Sequence, residues 1–146
     1  MITIRDYQDK DWAAICAIHD AARPDELKDS CDPRGFIPIE QDREVEDLRR
    51  AIKWVAEEAG EVLAFVGIDG NYLAWLYVQP AHYRRGLGRL LLRHALEAIS
   101  PGAWTIVLDG NHSAIQLYQS EGFREVRRFE SDNNGYPGTC LRLERS

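Results

Sequence analysis

Hydrophobic and polar positions change period several times along the chain, and each change marks an element. Ile2-Thr3-Ile4-Arg5 alternates at period two and reads as a short first strand. Trp12, Ile15, Cys16 and His19 recur at helical spacing, with Asp9 or Asp11 placed to cap that helix and Pro24 placed to stop it. Residues 24–40 are rich in Asp, Pro and Gly and read as an irregular loop. Helical spacing returns at Val45, Leu48 and Ile52. Two strands are expected at 54–57 and 62–66 about an Ala59-Gly60 turn, and Asp69-Gly70-Asn71 signals a hairpin into a strand ending at Val78. Leu87, Leu91, Ala95 and Ala98 form the apolar stripe of a helix that Pro101-Gly102 breaks. The β-branched run Trp104–Leu108 reads as a central strand, and Asp109-Gly110-Asn111 turns it into a short helix carrying Tyr118. Closing strands are expected at 123–126 and 139–143 around an Asn133-Asn134-Gly135 turn. An early helix pair, an antiparallel meander and a late βαβ-like section together predict an α+β domain with three layers.

Composition narrows the class. A chain of 146 residues is long enough to build one real core, and no repeat or linker divides residues 1–146, so one domain is expected. The net charge of -6 and sequence pI near 5.2 argue against a general nucleic-acid binder. Cys16, Cys31 and Cys140 show no C-x-x-C spacing. Their odd number, with no secretory leader pattern, fits a reducing, cytoplasmic setting. No apolar run approaches membrane-spanning length, so no membrane partner is expected. His19, His82, His94 and His112 share no metal-ligand spacing, and no metal site is expected, although His82 is placed to reach a phosphate.

The chemistry concentrates where the strand ending at Val78 runs into Gln79-Pro80-Ala81-His82-Tyr83-Arg84-Arg85-Gly86-Leu87-Gly88-Arg89 and then a leucine-rich helix. Glycine lets backbone approach a ligand closely, and a new helix presents unpaired N–H groups at its positive dipole end. Arg84, Arg85 and Arg89 add a local positive spot to an acidic chain, as an anionic cofactor requires. A diphosphate is the expected guest. The P-loop pattern is excluded because no Lys-Ser/Thr pair follows. The dinucleotide fingerprint is excluded because Leu91 stands where its third glycine belongs. Taken alone, the glycines equally suit a tight strand-to-helix turn with solvated arginines.

The stretch resembles the acyl-CoA loop of the GNAT acetyltransferase superfamily, [Q/R]-x-x-G-x-[G/A] after a V-x-P strand end. Val78, Pro80, Gly86 and Gly88 match it; Tyr83 stands where Gln or Arg is usual. Asn111-His112-Ser113-Ala114-Ile115-Gln116-Leu117-Tyr118-Gln119-Ser120-Glu121-Gly122-Phe123 resembles the superfamily's N-x-x-A-x-x-x-Y-x-x-x-G-F block. The resemblance is close from about Glu61 onward. It implies an acyl-CoA N-acyltransferase-like fold, three-layer α/β/α, with a mixed, centrally splayed sheet. It implies acetyl-CoA as co-substrate, held by Tyr83, Arg84, Arg85, Gly86, Leu87, Gly88 and Arg89 and by the backbone of Leu76, Tyr77 and Val78, which would pair like an added strand edge. Asn111 is implied either to bond the pantetheine arm or to cap its helix, and both readings stand.

The implied reaction is transfer of an acetyl group to a primary amine of a small molecule or peptide, with Tyr118 protonating the departing thiolate. A tyrosine of pKa about 10 stays protonated at neutral pH and can serve a thiolate whose acid has pKa about 8.5. Neutralising a lysine-like amine at pH 7 costs roughly 4–5 kcal/mol, an α-amine only about 1. The loop from Arg84 to Arg89 also looks like that of bacterial ribosomal-protein N-terminal acetyltransferases, which carry a catalytic Glu five residues before the Asn. Here that position is Ile106, which argues against sharing their base or substrate. Asp109 is expected to cap the turn, and Glu26, Asp29 and Asp32 are placed to line an acceptor pocket, leaving a water relay as the expected proton route. Tyr72, Trp75 and Tyr77 are read as core or acceptor-wall packing. A catalytically silent acyl-CoA sensor is the alternative function. The sequence does not fix the oligomer; a homodimer is one arrangement it allows.

Overall fold

The computed structural model describes residues 1–99 and 101–146. A seven-stranded sheet forms the middle layer, with strands β1 (Thr3–Asp6), β2 (Ile52–Glu58), β3 (Glu61–Asp69), β4 (Tyr72–Val78), β5 (Trp104–Leu108), β6 (Phe123–Asn133) and β7 (Tyr136–Arg145). Their order is β1-β2-β3-β4-β5-β7-β6, antiparallel throughout except for β4 against β5. Helices α1 (Trp12–Leu27) and α2 (Val45–Arg50) cover one face, and α3 (Leu87–Ala98) and α4 (His112–Ser120) the other. The alternation of β2 shows why both faces are filled. Trp54 and Ala56 join the α3/α4 core with Leu91, Leu92 and Tyr118, while Val55 joins Ile15, Ile18 and Leu48 on the α1/α2 side. This is the expected α/β/α arrangement with a mixed sheet.

The splay is real and local. β4 and β5 share one register pair, Tyr72↔Trp104, and then separate. The pair is pinned by a parallel ring stack with centroids 4.1 Å apart, with the Arg142 guanidinium 4.0 Å over the Trp104 ring. Beyond it, the Thr105 hydroxyl donates to the Leu73 carbonyl at 2.7 Å.

Several boundaries differ from expectation. α1 runs a full turn past Pro24, because Leu27 is completely buried beneath Leu108 and Cys140 and the Lys28 N–H closes onto the Pro24 carbonyl at 3.1 Å. Asp11 stands at the start of α1, but its carboxylate accepts from the Gln8 N–H and from Arg5 instead of capping that helix. Ile52 belongs to β2 and is exposed. α2 ends before it because Lys53 Nζ donates to the carbonyls of Leu48, Arg49 and Ala51 at 2.8, 3.0 and 3.1 Å. Two 3₁₀ turns, Pro33–Gly35 and Ile39–Gln41, punctuate the expected loop. β6 and β7 extend well past the expected strands as a long hairpin about Asn134-Gly135. The tip of that hairpin receives the loop after α1: Asn134 Nδ2 donates to the Gly35 carbonyl at 2.7 Å, and a Cβ on Gly35 would lie 2.5 Å from Asn133 Nδ2.

Candidate active site

The gap between β4 and β5 opens into a cavity of 1130 Å³ whose wall runs from the Gly86 turn to the β6–β7 hairpin tip. Backbone geometry explains one end. Arg84 and Gly86 both have positive φ, 65° and 79°, and Gly86 is the N-cap of α3. The leading N–H groups of α3 therefore face this turn without intrahelical acceptors. A Cβ on Gly86 would meet nothing within 4 Å, so the space over the turn is free for a guest. Arg84 lines that space and has no hydrogen-bond or ion-pair partner among the described residues. Arg89 also lines it but is shared with Glu121 and with Ser120 Oγ.

Not every expected contact lies there. The Arg85 guanidinium turns away to Glu58 at 2.8 Å and to His82 Nδ1 at 2.9 Å, and it does not line the cavity. A carboxylate two strands away outcompetes the turn for that charge. Leu87 is anchored in the α3 core and reaches the cavity edge, while a Cβ on Gly88 would meet Leu117 and Val78 at 3.6 and 4.0 Å. Tyr83 stays at the cavity mouth, where its hydroxyl donates to Asp25 Oδ2 at 2.9 Å.

The strand edge supplies the next contacts. The Gln79 N–H bonds the Leu63 carbonyl of β3 at 2.8 Å. Backbone polar groups alternate sides along a strand, so Tyr77 also addresses β3, whereas Leu76 and Val78 aim theirs into the gap. The Tyr77 side chain packs on the α1 side of the sheet, edge-on to His19 with centroids 5.0 Å apart. Burial raises its phenol pKa well above the ordinary value, with Glu26 acting in the same direction.

Tyr118 is buried on α4, 5% exposed, with its ring edge-on to Phe123 at 5.2 Å and also on the cavity wall. Burial pushes its phenol well above the ordinary range, so the proton is retained at neutral pH. Asn111 occupies the N-cap of α4 but makes no side-chain cap; its Nδ2 donates to Glu26 Oε2 at 3.3 Å.

The far wall holds residues the sequence places there, Glu26, Asp29 and Tyr72, beside others it does not. Arg23 on α1 binds Glu26 Oε1 at 2.9 Å and Asn133 Oδ1 at 3.2 Å, joining helix to hairpin tip. Asp42, Glu44, Tyr72, Asn133 and Cys140 complete this end. Of the acidic trio expected here, Glu26 and Asp29 line the cavity; Asp32 does not, because it accepts from Arg34 and caps the turn at Pro33. Asp109 pairs with Arg128 at 3.1 Å instead of capping. Ile106 lines the wall and packs against the Leu27, Leu108 and Cys140 cluster, so no carboxylate enters from β5 at that position. The long-range bond from Arg23 to Asn133 has no local sequence signal. The Asn-rich turn at 133–135 marks a hairpin but not its reach.

Comparison with known proteins defines the class. The acetyltransferase (GNAT) domain family matches residues 49–125. Peptidyl-lysine N-acetyltransferase YjaB of Escherichia coli is 32% identical over 114 residues, covering 74% of this chain and 77% of that protein. Peptidyl-lysine N-acetyltransferase YiaC of the same organism is 37% identical over 94 residues, 64% of this chain and 62% of YiaC, so the match spans less than two thirds of that relative. The fold also matches YncA of Salmonella typhimurium, solved with its cofactor acetyl-CoA, at a TM-score of 0.74 with 22% identity over 99% of this chain and 92% of that one. The chain belongs to the GNAT acetyltransferase family. Among the described residues no helix is long and apolar enough to cross a membrane, and all three cysteines are free thiols.

Proposed function

We propose that this protein is an acetyl-CoA-dependent N-acetyltransferase that moves the acetyl group to a primary amine of a small molecule or peptide, with Tyr118 protonating the CoA thiolate. The observation that carries the reading is the placement of the buried Tyr118 on the wall of the β4–β5 gap, which leads to the Gly86 turn. The open space over Gly86, the unpartnered Arg84 and the leading N–H groups of α3 fit the diphosphate of CoA. Leu76 and Val78 suit a strand-like pantetheine arm. When bound, acetyl-CoA supplies an activated thioester; the chain's part is to align it with the amine and to hold a proton at Tyr118 Oη.

The relatives named for peptidyl-lysine favour a lysine side chain among the amines, and the free thiols suit a reducing, cytoplasmic setting. Ile106 on the wall favours a second reading, an acyl-CoA-binding sensor without turnover. The two separate in one assay, which follows free thiol released from acetyl-CoA with polyamines, amino acids, aminoglycosides or lysine peptides. Acceptor-dependent release supports the enzyme; saturable acetyl-CoA binding without release supports the sensor.

A further inference from the structure

Attack on a thioester requires an amine that has lost its proton, and β5 offers no carboxylate at Ile106 to take it. We propose that His19 is the general base, its Nε2 accepting the proton of the acceptor ammonium on the α1 side of the splay. The assignment rests on the acetyltransferase reading.

A chain of hydrogen bonds fixes the ring. His19 Nδ1 lies 3.0 Å from Asp20 Oδ1. A carboxylate oxygen only accepts, so Nδ1 carries the proton and Nε2 of the neutral ring keeps a lone pair. Asp20 Oδ1 also accepts from the Ile39 N–H at 2.9 Å, which ties it to the 3₁₀ turn there. Backbone orients the carboxylate and the carboxylate orients the imidazole, the order in which a histidine base is held for work. His19 is 6% exposed and lines the cavity. Its Nε2 has no hydrogen-bond partner among the described residues, yet it is not among the sealed polar atoms left without one, Ser30 Oγ and Asn133 Nδ2. One nitrogen is therefore clamped and the other is open to the cavity. The other histidines on the wall differ: His82 Nδ1 is taken by Arg85, and His112 is exposed at the start of α4. The wall carboxylates near the splay are engaged, Asp25 with Tyr83 and Glu26 with Arg23 and Asn111.

The path of α1 places the ring. Ile15 and Ile18 pack with Phe65 and Trp75 on the β3–β4 arm, and Leu27 packs with Leu108 and Cys140 on the β5–β7 arm, so the helix crosses the splay. His19 sits on the β4 arm against Tyr77, between Leu76 and Val78, whose backbone groups aim into the gap. Tyr118 belongs to the core on the opposite face of the sheet and lines the same cavity. Proton acceptor and proton donor thus stand on opposite faces of one gap, which suits an amine that enters beside the first and a sulfur that leaves toward the second.

The step balances without another reactant. His19 Nε2 takes one proton from R–NH₃⁺, the nitrogen lone pair forms the N–C bond, and the C–S bond breaks. The sulfur takes the Tyr118 proton, and the second amine proton, lost from nitrogen, restores Tyr118 through water. His19 releases its proton to solvent. The net change is one amide, one thiol and one proton.

The test follows thiol release from acetyl-CoA in the unaltered protein and in His19→Ala, Asp20→Ala, Asp20→Asn and His94→Ala, with spermidine and a lysine-containing peptide as probes. His19→Ala is expected to lose about 10²–10³ in kcat, at the lower part of the general-base range, while the acetyl-CoA-induced rise in Tm stays unchanged. Free imidazole added to His19→Ala should recover about tenfold of that loss, whereas pyrrole, a ring of the same shape without a basic nitrogen, should recover none. Asp20, as the positioning residue, should show a fall of about tenfold in kcat when changed to Ala, with KM for acetyl-CoA unchanged. Asp20→Asn, whose amide oxygen can still accept from Nδ1 and from the Ile39 N–H, should regain part of it. His94→Ala, on the other face of the sheet against Trp54, should keep the full rate. His19→Ala within threefold of the unaltered rate overturns the assignment. So does a loss that imidazole leaves unrestored or pyrrole restores equally, or an equal loss in His94→Ala. If His19→Ala does not fold, Asp20→Ala decides, and an unchanged kcat there overturns the assignment. If the unaltered protein releases no thiol with any amine, the functional reading fails and this assignment fails with it.

Discussion

The Thr105 hydroxyl and the Leu73 carbonyl are joined by a 2.7 Å hydrogen bond just inside the point where β4 and β5 part. With only Tyr72↔Trp104 in register, this side-chain rung stands where a ladder bond would. Thr105→Val keeps the shape and leaves a buried carbonyl without a donor. The expected loss is about 1–3 kcal/mol in urea unfolding. An unchanged midpoint and slope would show that the splay is held by the aromatic stack alone.

At the turn, Gly86→Val should abolish the acetyl-CoA-induced rise in Tm. The reason is twofold: φ of 79° is strained for a β-branched residue, and the branched side chain would occupy the free space above the turn. Arg84→Ala should weaken binding severalfold, since much of the cradle is main chain. Arg85→Ala should leave affinity within about twofold, because its charge is already spent on Glu58. Isothermal titration ranks the three, and a larger loss for Arg85 than for Arg84 would exchange the roles of the two arginines.

Tyr118→Phe removes only the phenol hydroxyl, the proposed proton donor, and keeps the packing against Phe123. A fall in kcat of about 10² is expected, the low end for general acid help because a thiolate leaves readily, with acetyl-CoA affinity nearly constant. Wild-type turnover with chemistry rate-limiting would make Tyr118 a packing residue.

Acid stability should report on Asp11, which is nearly buried and accepts from Arg5 at 2.8 and 2.9 Å and from the Gln8 N–H at 2.8 Å. The Arg5 bonds, aided by Gln8, hold its pKa below the ordinary value, and burial opposes them. The native state therefore binds the proton less readily than the unfolded chain. The stabilisation is complete above the unfolded pKa of about 3.9 and disappears as pH falls through the lower native value. Asp11→Asn should cost about 1–3 kcal/mol at pH 7 and show a flatter stability profile between pH 5 and 2. Parallel profiles for the two proteins would remove Asp11 from the acid transition.

What the sequence made legible is what is local. The strand-to-helix turn at Gly86 is legible because strand end, positive-φ glycine and helix start are neighbours, and the helix face of Tyr118 because its distance from Asn111 fixes it. The closing hairpin reads short because β6 is an edge strand, exposed along most of its length, with no apolar alternation from Arg124 to Glu130 to announce it. α1 outruns Pro24 because burial of Leu27 outweighs one missing donor. Arg85 and Asp32 depart from expectation through competition: each has a nearer counter-ion, Glu58 or Arg34, that only the folded chain or the local turn reveals. The join that closes the Tyr72 end of the cavity stays hidden in the sequence because it forms only through a tertiary contact, Arg23 with Asn133 from 110 positions away.

The docking of the Gly35 loop on the Asn133–Asn134 tip has an evolutionary corollary. Both pieces lie outside the matched span 49–125, one before it and one after, yet they share a single seam 99 positions apart in sequence. At Gly35 the seam has no room even for a methyl group. Neither piece is free to drift alone, since a larger residue on one side must be answered by retreat on the other. Divergence toward new acceptors should therefore leave paired footprints near residues 35 and 133, while the intervening span changes on its own schedule.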